Sequence, residues 1–273
     1  MDLRRFALTL LLSGLSLSLA MAIAWAMQQV LKSSRWVDAS WSFSIGAVAF
    51  VASLAPFDAT HWRQIMVADL VAVWSFRLSG HLAGRNRSVA DDPRYRALAE
   101  QWGAKAPRRM FWFLQSQAMV GTVLVVSVAL AAHRPGPAWQ LQDVFGALLL
   151  IAAVLGETIA DRQLTVFRRN RAEGEVVCDR GLWHWSRHPN YFFEWLGWVA
   201  FALMGADFTG SYLWGWLAVA APAVMYWVLV HVSGIPPLEQ HMLRTRGEAY
   251  RAYQERISPF FLWPARRRAT AKR

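Results

Sequence analysis

Long apolar runs alternate with short charged segments along the chain, and that alternation sets the first expectation. The runs cover 6–31, 39–56, 65–83, 110–132, 143–167, 191–205 and 212–233, each interrupted only sparsely by charge. A helix that spans a bilayer needs roughly 20 mainly apolar residues, because its backbone polar groups must be satisfied within the segment. The pattern therefore predicts an all-α fold: a polytopic membrane helix bundle of about seven transmembrane helices, one integral domain over 1–273. No repeat period, Gly/Ser linker or low-complexity stretch marks a second domain. Segment 84–109 has a different rhythm. Its Tyr95, Leu98 and Trp102 recur at helical spacing among charges, which predicts a short amphipathic helix on the membrane surface.

Composition agrees with lipid as the solvent: 55% of the 273 residues are hydrophobic and 16 are Trp. A single cysteine, Cys178, offers neither a disulfide framework nor a Cys-based zinc site. Charge predicts the orientation. Segments 32–38, 84–109, 168–190 and 234–273 hold 2, 7, 5 and 9 Lys and Arg, 23 together, whereas 1–5, 57–64, 133–142 and 206–211 hold 2, 1, 1 and 0, which is 4. Loops rich in Lys and Arg stay in the cytoplasm. The N-terminus is thus expected outside and the C-terminus inside. A cleaved signal peptide, suggested by Arg4-Arg5 and by Ala20-Met21-Ala22, would place the basic 84–109 segment outside, and the charge count rejects it. The net charge of +11 raises nucleic acid as a partner. No nucleic-acid-binding motif accompanies it, so the expected partners are the bilayer and a lipid-like small molecule.

Candidate chemistry concentrates in ETIADRQLTVFRRNRAEGEVVCDRGLWHWSRHPNYFFEWLGW, where ionisable residues enter apolar runs. Such residues are costly at membrane depth and face a cavity or a partner. Glu157, Asp161 and Arg168 stand 4 and 7 residues apart, close to whole helical turns, and so share one face. Gly181 suits a turn, and Pro189 suits the first turn of a helix. Asn190 and Glu194 follow one turn apart. Arg187, His188, Asn190, Tyr191 and Glu194 then crowd a helix N-terminus, where unpaired N–H groups and the macrodipole favour an anion. A ligand site is the favoured reading of this group, and an interfacial cap with snorkelling side chains is the other. Upstream, Arg77 and His81 share a face of an apolar run, with Asp38 available to pair with Arg77. A structural ion pair and a substrate role both fit these residues. Glu239, Tyr250 and Tyr253 lie in the polar C-terminal segment, which either folds back over the cytoplasmic mouth or forms an amphipathic surface helix. His81, His184 and His188 lack a carboxylate or thiol set at zinc-ligand spacing, and there is no dinucleotide glycine fingerprint, phosphate-binding loop or nucleophile elbow. Any nucleotide would be held by the bundle itself.

The runs GLWHWSRHPNYFFEWLGW, ETIADRQLTVFRRN and SGIPPLEQHMLRTRGEAYRAYQERISPF closely resemble the bacterial DUF1295 proteins, relatives of the steroid 5α-reductase C-terminal domain. The likeness reaches back to SSRWVDASW and VWSFRLSGHLAGRNR and is most specific over 143–264. It implies a seven-helix reductase with NADPH in the cytoplasmic half of the bundle. Asp161 and Arg168 match the family's cofactor-contacting Asp and Arg, and Asn190, Tyr191 and Glu194 match its Asn-Tyr-x-x-Glu. Tyr250 matches a C-terminal Tyr, while Arg187, His188 and Glu239 complete the expected cofactor set. The implied reaction is hydride transfer to the β-carbon of an activated C=C bond in a lipid, with protonation at the α-carbon. Arg77 would be the catalytic stabiliser and Asp38 its orienting partner. The chain departs from the steroid enzymes in lacking their Gln-Glu pair and in placing Trp74, not Tyr, before Arg77. Its expected substrate is therefore not fixed as a steroid. RHPNY is also similar to the RHPxY of isoprenylcysteine and phospholipid methyltransferases, which use S-adenosylmethionine. A non-enzymatic lipid-binding role is a third reading.

Overall fold

The computed structural model describes residues 3–56, 61–86, 92–137, 140–172 and 174–265. Residues 87–91 and 266–273, which carry part of the basic sequence counted above, lie outside it. Regular structure among the described residues is helical: α1 (Leu3–Leu31), α2 (Val37–Ser53), α3 (His61–Asn86), α4 (Pro93–Trp102), α5 (Ala106–Ala132), α6 (Leu141–Asn170), α7 (Pro189–Gly205), α8 (Ala220–Trp227) and α9 (Ile235–Arg256). Short 3₁₀ turns cover Gly181–His184 and Leu213–Val219, and a π-helical stretch covers Val228–Val232. Among the described residues, five helical segments are long and apolar enough to cross a membrane: Leu3–Leu31, Trp62–Gly84, Arg94–Ala132, Leu141–Asn170 and Leu213–Arg256. α2 and α7 have 17 residues each, a length of about 25 Å against a hydrocarbon core of about 30 Å.

The chain forms two compact units, Met1–Ala147 with Val199–Ala221, and Leu148–Trp198 with Pro222–Arg273. In the first unit α5 is the central helix, with α1, α2, α3 and the Leu213–Val219 turn packed on it. Leu17, Met21, Ile45, Val71, Leu114 and Leu124 are fully buried there. Small residues set the closest approach: a Cβ added at Gly46 would lie 2.1 Å from the Ser75 side chain, so α2 and α3 touch almost backbone to backbone. Hydroxyl groups inside these apolar helices turn back on their own backbone, as Ser53 does to the Ala49 carbonyl (2.8 Å) and Thr122 to that of Ala118 (2.8 Å). These hydroxyls are thereby satisfied without water. α4 starts where Asp92 caps it by accepting from the Arg94 N–H (2.9 Å), and it stops at Gly103, whose φ is +53°. Its Tyr95 is buried against Phe113 (ring centroids 6.1 Å), which Trp102 also meets at 6.3 Å, so the face expected from the helical spacing is the inward one.

The second unit is built from most of α6, the segment that follows it, the start of α7, and the described residues from Pro222 onward. Phe167, Cys178 and Trp183 form one small core, and Tyr250, Tyr253 and Ile257 form another. Phe192, Trp195, Tyr226, Phe260 and Phe261 pack as an aromatic cluster, mostly edge to face. The Gly181–His184 turn depends on its glycine: φ at Gly181 is +58°, and a Cβ there would come within 2.4 Å of the Gln163 side chain. α9, the C-terminal half of the Leu213–Arg256 segment, carries Glu239, Arg244, Arg246, Glu248, Arg251 and Glu255, too many charges for hydrocarbon, so only the apolar half before it suits a span.

Candidate functional site

On α6, Glu157 and Asp161 are buried at 5% and 8% exposure, whereas Arg168 at the same face's end is exposed. The shared face predicted from their spacing thus runs from a dry end to a wet one. α7 begins at Pro189, and Asn190 in its first turn reaches Asp161 Oδ1 through Nδ2 at 3.4 Å. That contact is long and weak, but it brings the two motif residues together from different helices. One turn on, Glu194 is 7% exposed and accepts a 3.0 Å hydrogen bond from Trp198 Nε1. Tyr191, half-buried, stacks on the His188 ring at 5.4 Å and 11°.

Arg187, His188, Glu239 and Tyr250 are engaged with one another and with the chain's own C-terminal segment. Arg187 donates from Nε and Nη2 to the two Glu239 oxygens (2.7 and 3.2 Å), and from Nη1 to the carbonyls of Gln254 (3.0 Å) and Ile257 (2.6 Å). The Gln254 side chain donates to Glu239 Oε2 at 2.6 Å, and burial, with the Glu239 charge next, pushes the Tyr250 phenol above its usual range. His188 Nε2 lies 3.0 Å from Glu239 Oε1. A carboxylate only accepts, so Nε2 carries the proton. Burial pushes the His188 imidazole below the usual histidine range, and the Glu239 hydrogen bond and charge only partly oppose this. The ring is therefore a neutral donor. Burial alone would raise the Glu239 carboxyl, but the hydrogen bonds from His188 and Arg187 dominate and hold it at about 2.

These contacts close a latch. Around it, Arg187 N donates to Ser258 O (2.8 Å), Ser186 Oγ to Phe260 O (2.8 Å), Trp263 N to Trp185 O (3.0 Å) and Tyr253 Oη to Trp183 O (2.5 Å). Arg256 adds an ion pair to Asp179 at 2.8 Å. The sequence pointed to Arg187 as an anion ligand at a helix N-terminus. In the structure four of its five N–H groups already have protein acceptors, because the C-terminal segment folds back and presents Glu239 and two carbonyls. Gln254, Ser186 and Asp179 were not singled out by sequence reasoning, since their roles depend on a fold-back that no local spacing encodes.

In the first unit, Asp38 was expected to orient Arg77. Its carboxylate is instead taken by Arg94, in an ion pair, and by Tyr95 Oη at 2.7 Å, because α4 brings both residues to the first turn of α2. Gln117 donates to that phenol at 3.2 Å. Arg77 is half-buried on α3. A second cluster went unnoticed in the sequence. Asp143 pairs with both Arg63 (2.9 Å) and Arg134 (2.5 Å), and the three side chains are 1%, 0% and 4% exposed. Arg63 also donates to the carbonyls of Arg134 and Pro137, and Arg134 to that of Met204. A signal was present: Arg63 and Arg134 are the lone cations of 57–64 and 133–142, two segments of the cation-poor set.

Residues 24–257 match the family described as Protein of unknown function (DUF1295). Among curated proteins the chain is similar to Uncharacterized protein C594.04c of Schizosaccharomyces pombe (strain 972 / ATCC 24843), with 26% identity over 278 residues, covering 91% of this chain and 78% of that protein. No solved structure gives a significant match.

Proposed function

The chain belongs to the DUF1295 family, and on that premise we propose that it is a membrane-embedded, NADPH-dependent reductase of an activated C=C bond in a lipid-like substrate. The observation that carries the reading is the group of three buried carboxylates, Glu157, Asp161 and Glu194, with Asn190 reaching Asp161. Buried carboxylates persist when donors satisfy them. The ribose hydroxyls and the nicotinamide amide of a dinucleotide are donors of the required kind, and exposed Arg168 at the end of the same face suits its phosphates. The residues present thus fit the cofactor, with Arg187, His188, Glu239 and Tyr250 supporting the site as a latch. Bound NADPH would supply a hydride. Asp161 and Glu194 would orient it by accepting hydrogen bonds, Asn190 would fix the position of Asp161, and the apolar helices around them would exclude water. Arg77 is the proposed stabiliser of negative charge developing on the substrate. The same reading takes α2 and α7 as spanning helices, which gives seven, with the N-terminus outside and the C-terminus and cofactor residues on the cytoplasmic side of a bacterial inner membrane.

The test uses purified protein in mild detergent. NADPH should raise the melting temperature with a concentration dependence set by its Kd, as any ligand binding only the folded state must. S-adenosylmethionine should leave it unchanged. Stabilisation by the methyl donor and not by NADPH would replace the reductase reading with a methyltransferase.

A further inference from the structure

The residues of α6 that carry the proposed cofactor site occupy one face of that helix; the opposite face builds something else. At 100° per residue, Ile159, Arg162, Gln163, Val166 and Asn170 fall within an arc of about 100° centred opposite Asp161. With Arg180 from the following loop they line a cavity of about 540 Å³. Part of its wall is apolar and uncovered: Ile159 and Val166 are 49% and 48% exposed. The same arc continues up the helix through Leu155, Ile151 and Leu148, which are 57%, 48% and 57% exposed. Polar side chains complete the lining. Arg162 is exposed and has no carboxylate partner among the described residues, while Arg180 pairs with Glu175 at 2.5 Å. Gln163 has its oxygen committed to the Leu182 N–H (3.0 Å), which leaves its NH₂ end as a donor.

We infer that this groove is a binding site for a bilayer phospholipid with an anionic headgroup, its phosphate taken by Arg162 and Arg180 and its acyl chain lying along Ile159, Leu155 and Ile151. A guanidinium fork matches a phosphate, and an Arg flanking an apolar stripe can extend its charge to the headgroup layer. The lining side chains carry two cations and one anion, so the groove is positive overall. A soluble anion would leave the apolar wall wet, whereas a lipid covers both halves at once. The inference is independent of the reductase reading, since it uses the other face of α6.

The experiment compares the full chain with Arg162→Gln and Arg180→Gln in nanodiscs of phosphatidylcholine alone and of phosphatidylcholine with a minority of phosphatidylglycerol, reading retained lipid by native mass spectrometry. Wild type should retain phosphatidylglycerol selectively, and each variant should lose about five-fold in apparent affinity, the worth of one cation at a membrane surface. Arg180 is 71% exposed, so its variant remains informative even where Arg162→Gln lowers the yield of folded protein. Equal retention of phosphatidylglycerol by wild type and both variants overturns the site. Displacement of the retained lipid by added inorganic phosphate overturns the lipid assignment in favour of a soluble anion. Arg108→Gln, a change at an exposed cation on α5, should leave retention unchanged; an equal loss there would reduce the effect to general charge and sink the proposal.

Discussion

In the first unit Asp143 accepts from two guanidinium groups, Arg63 and Arg134, and all three side chains are at most 4% exposed. In the second, Glu239 accepts from one guanidinium, one neutral imidazole and one amide, with Arg187 and Glu239 at 10% and 13% exposure. The first cluster carries a surplus positive charge inside the protein, balanced by carbonyl dipoles from Arg134, Pro137 and Met204. The second is charge-neutral and lies nearer water. A buried pair contributes little over an apolar substitute, yet losing one partner leaves the other charge stranded. The knot around Asp143 is therefore fastened more rigidly than the latch around Glu239, which can loosen at lower cost, and the residues proposed to hold the cofactor lie in the unit with the latch.

The largest effect should come from the knot. Asp143→Asn leaves two buried guanidinium groups without a carboxylate and should destabilise the protein by about 3–5 kcal/mol, read as a lowered midpoint in thermal unfolding followed by Trp fluorescence. A variant that melts with wild type would show that the carbonyls alone hold both cations, and the contrast would collapse. Glu239→Gln should lose less, about 1.5–3 kcal/mol, the worth of hydrogen bonds to a charged group. Its amide oxygen still accepts from Arg187 or His188, and Arg187 keeps two carbonyls.

Acid sharpens the comparison further. The folded Glu239 carboxyl titrates at about 2, below its ordinary 4.5, so the unfolded chain binds the proton first as pH falls. Its stabilisation is complete above about 4.5 and is lost as pH drops toward 2. His188 is also held below its ordinary value; the unfolded ring protonates first, and stability declines as pH falls below about 6.5. Unfolding midpoints measured against pH should therefore fall in two stages. Glu239→Gln should remove the lower stage and keep the upper, and His188→Gln should do the reverse. Identical profiles in wild type and both variants would detach the acid response from the latch.

The smallest change in stability belongs to the proposed cofactor residues. Asp161→Asn and Glu194→Gln keep an oxygen that accepts from Asn190 and Trp198, and should shift cofactor-free stability by less than about 1 kcal/mol. Binding of NADPH, measured by its effect on the melting point, should weaken about ten- to a hundred-fold. A large loss of stability with unchanged NADPH affinity would make these carboxylates a third structural cluster.

The sequence by itself determined the helical class, most of the helix extents and the faces of α4 and α6. Those follow from periodicity and from the cost of leaving backbone groups unpaired in lipid, both of which are local. It also placed Asp161 and Asn190 among the residues of interest, and the structure brings them together. Tertiary structure decided which charges meet. Arg187 is 52 positions from Glu239, Asp38 is 56 from Arg94, and Arg63 is 80 from Asp143. No spacing rule reaches across such separations. A buried cation takes whichever acceptor the packing delivers, and only the folded chain brings the α9 carboxylate to Arg187 and the first turn of α6 to Arg63, because desolvation penalises any other arrangement.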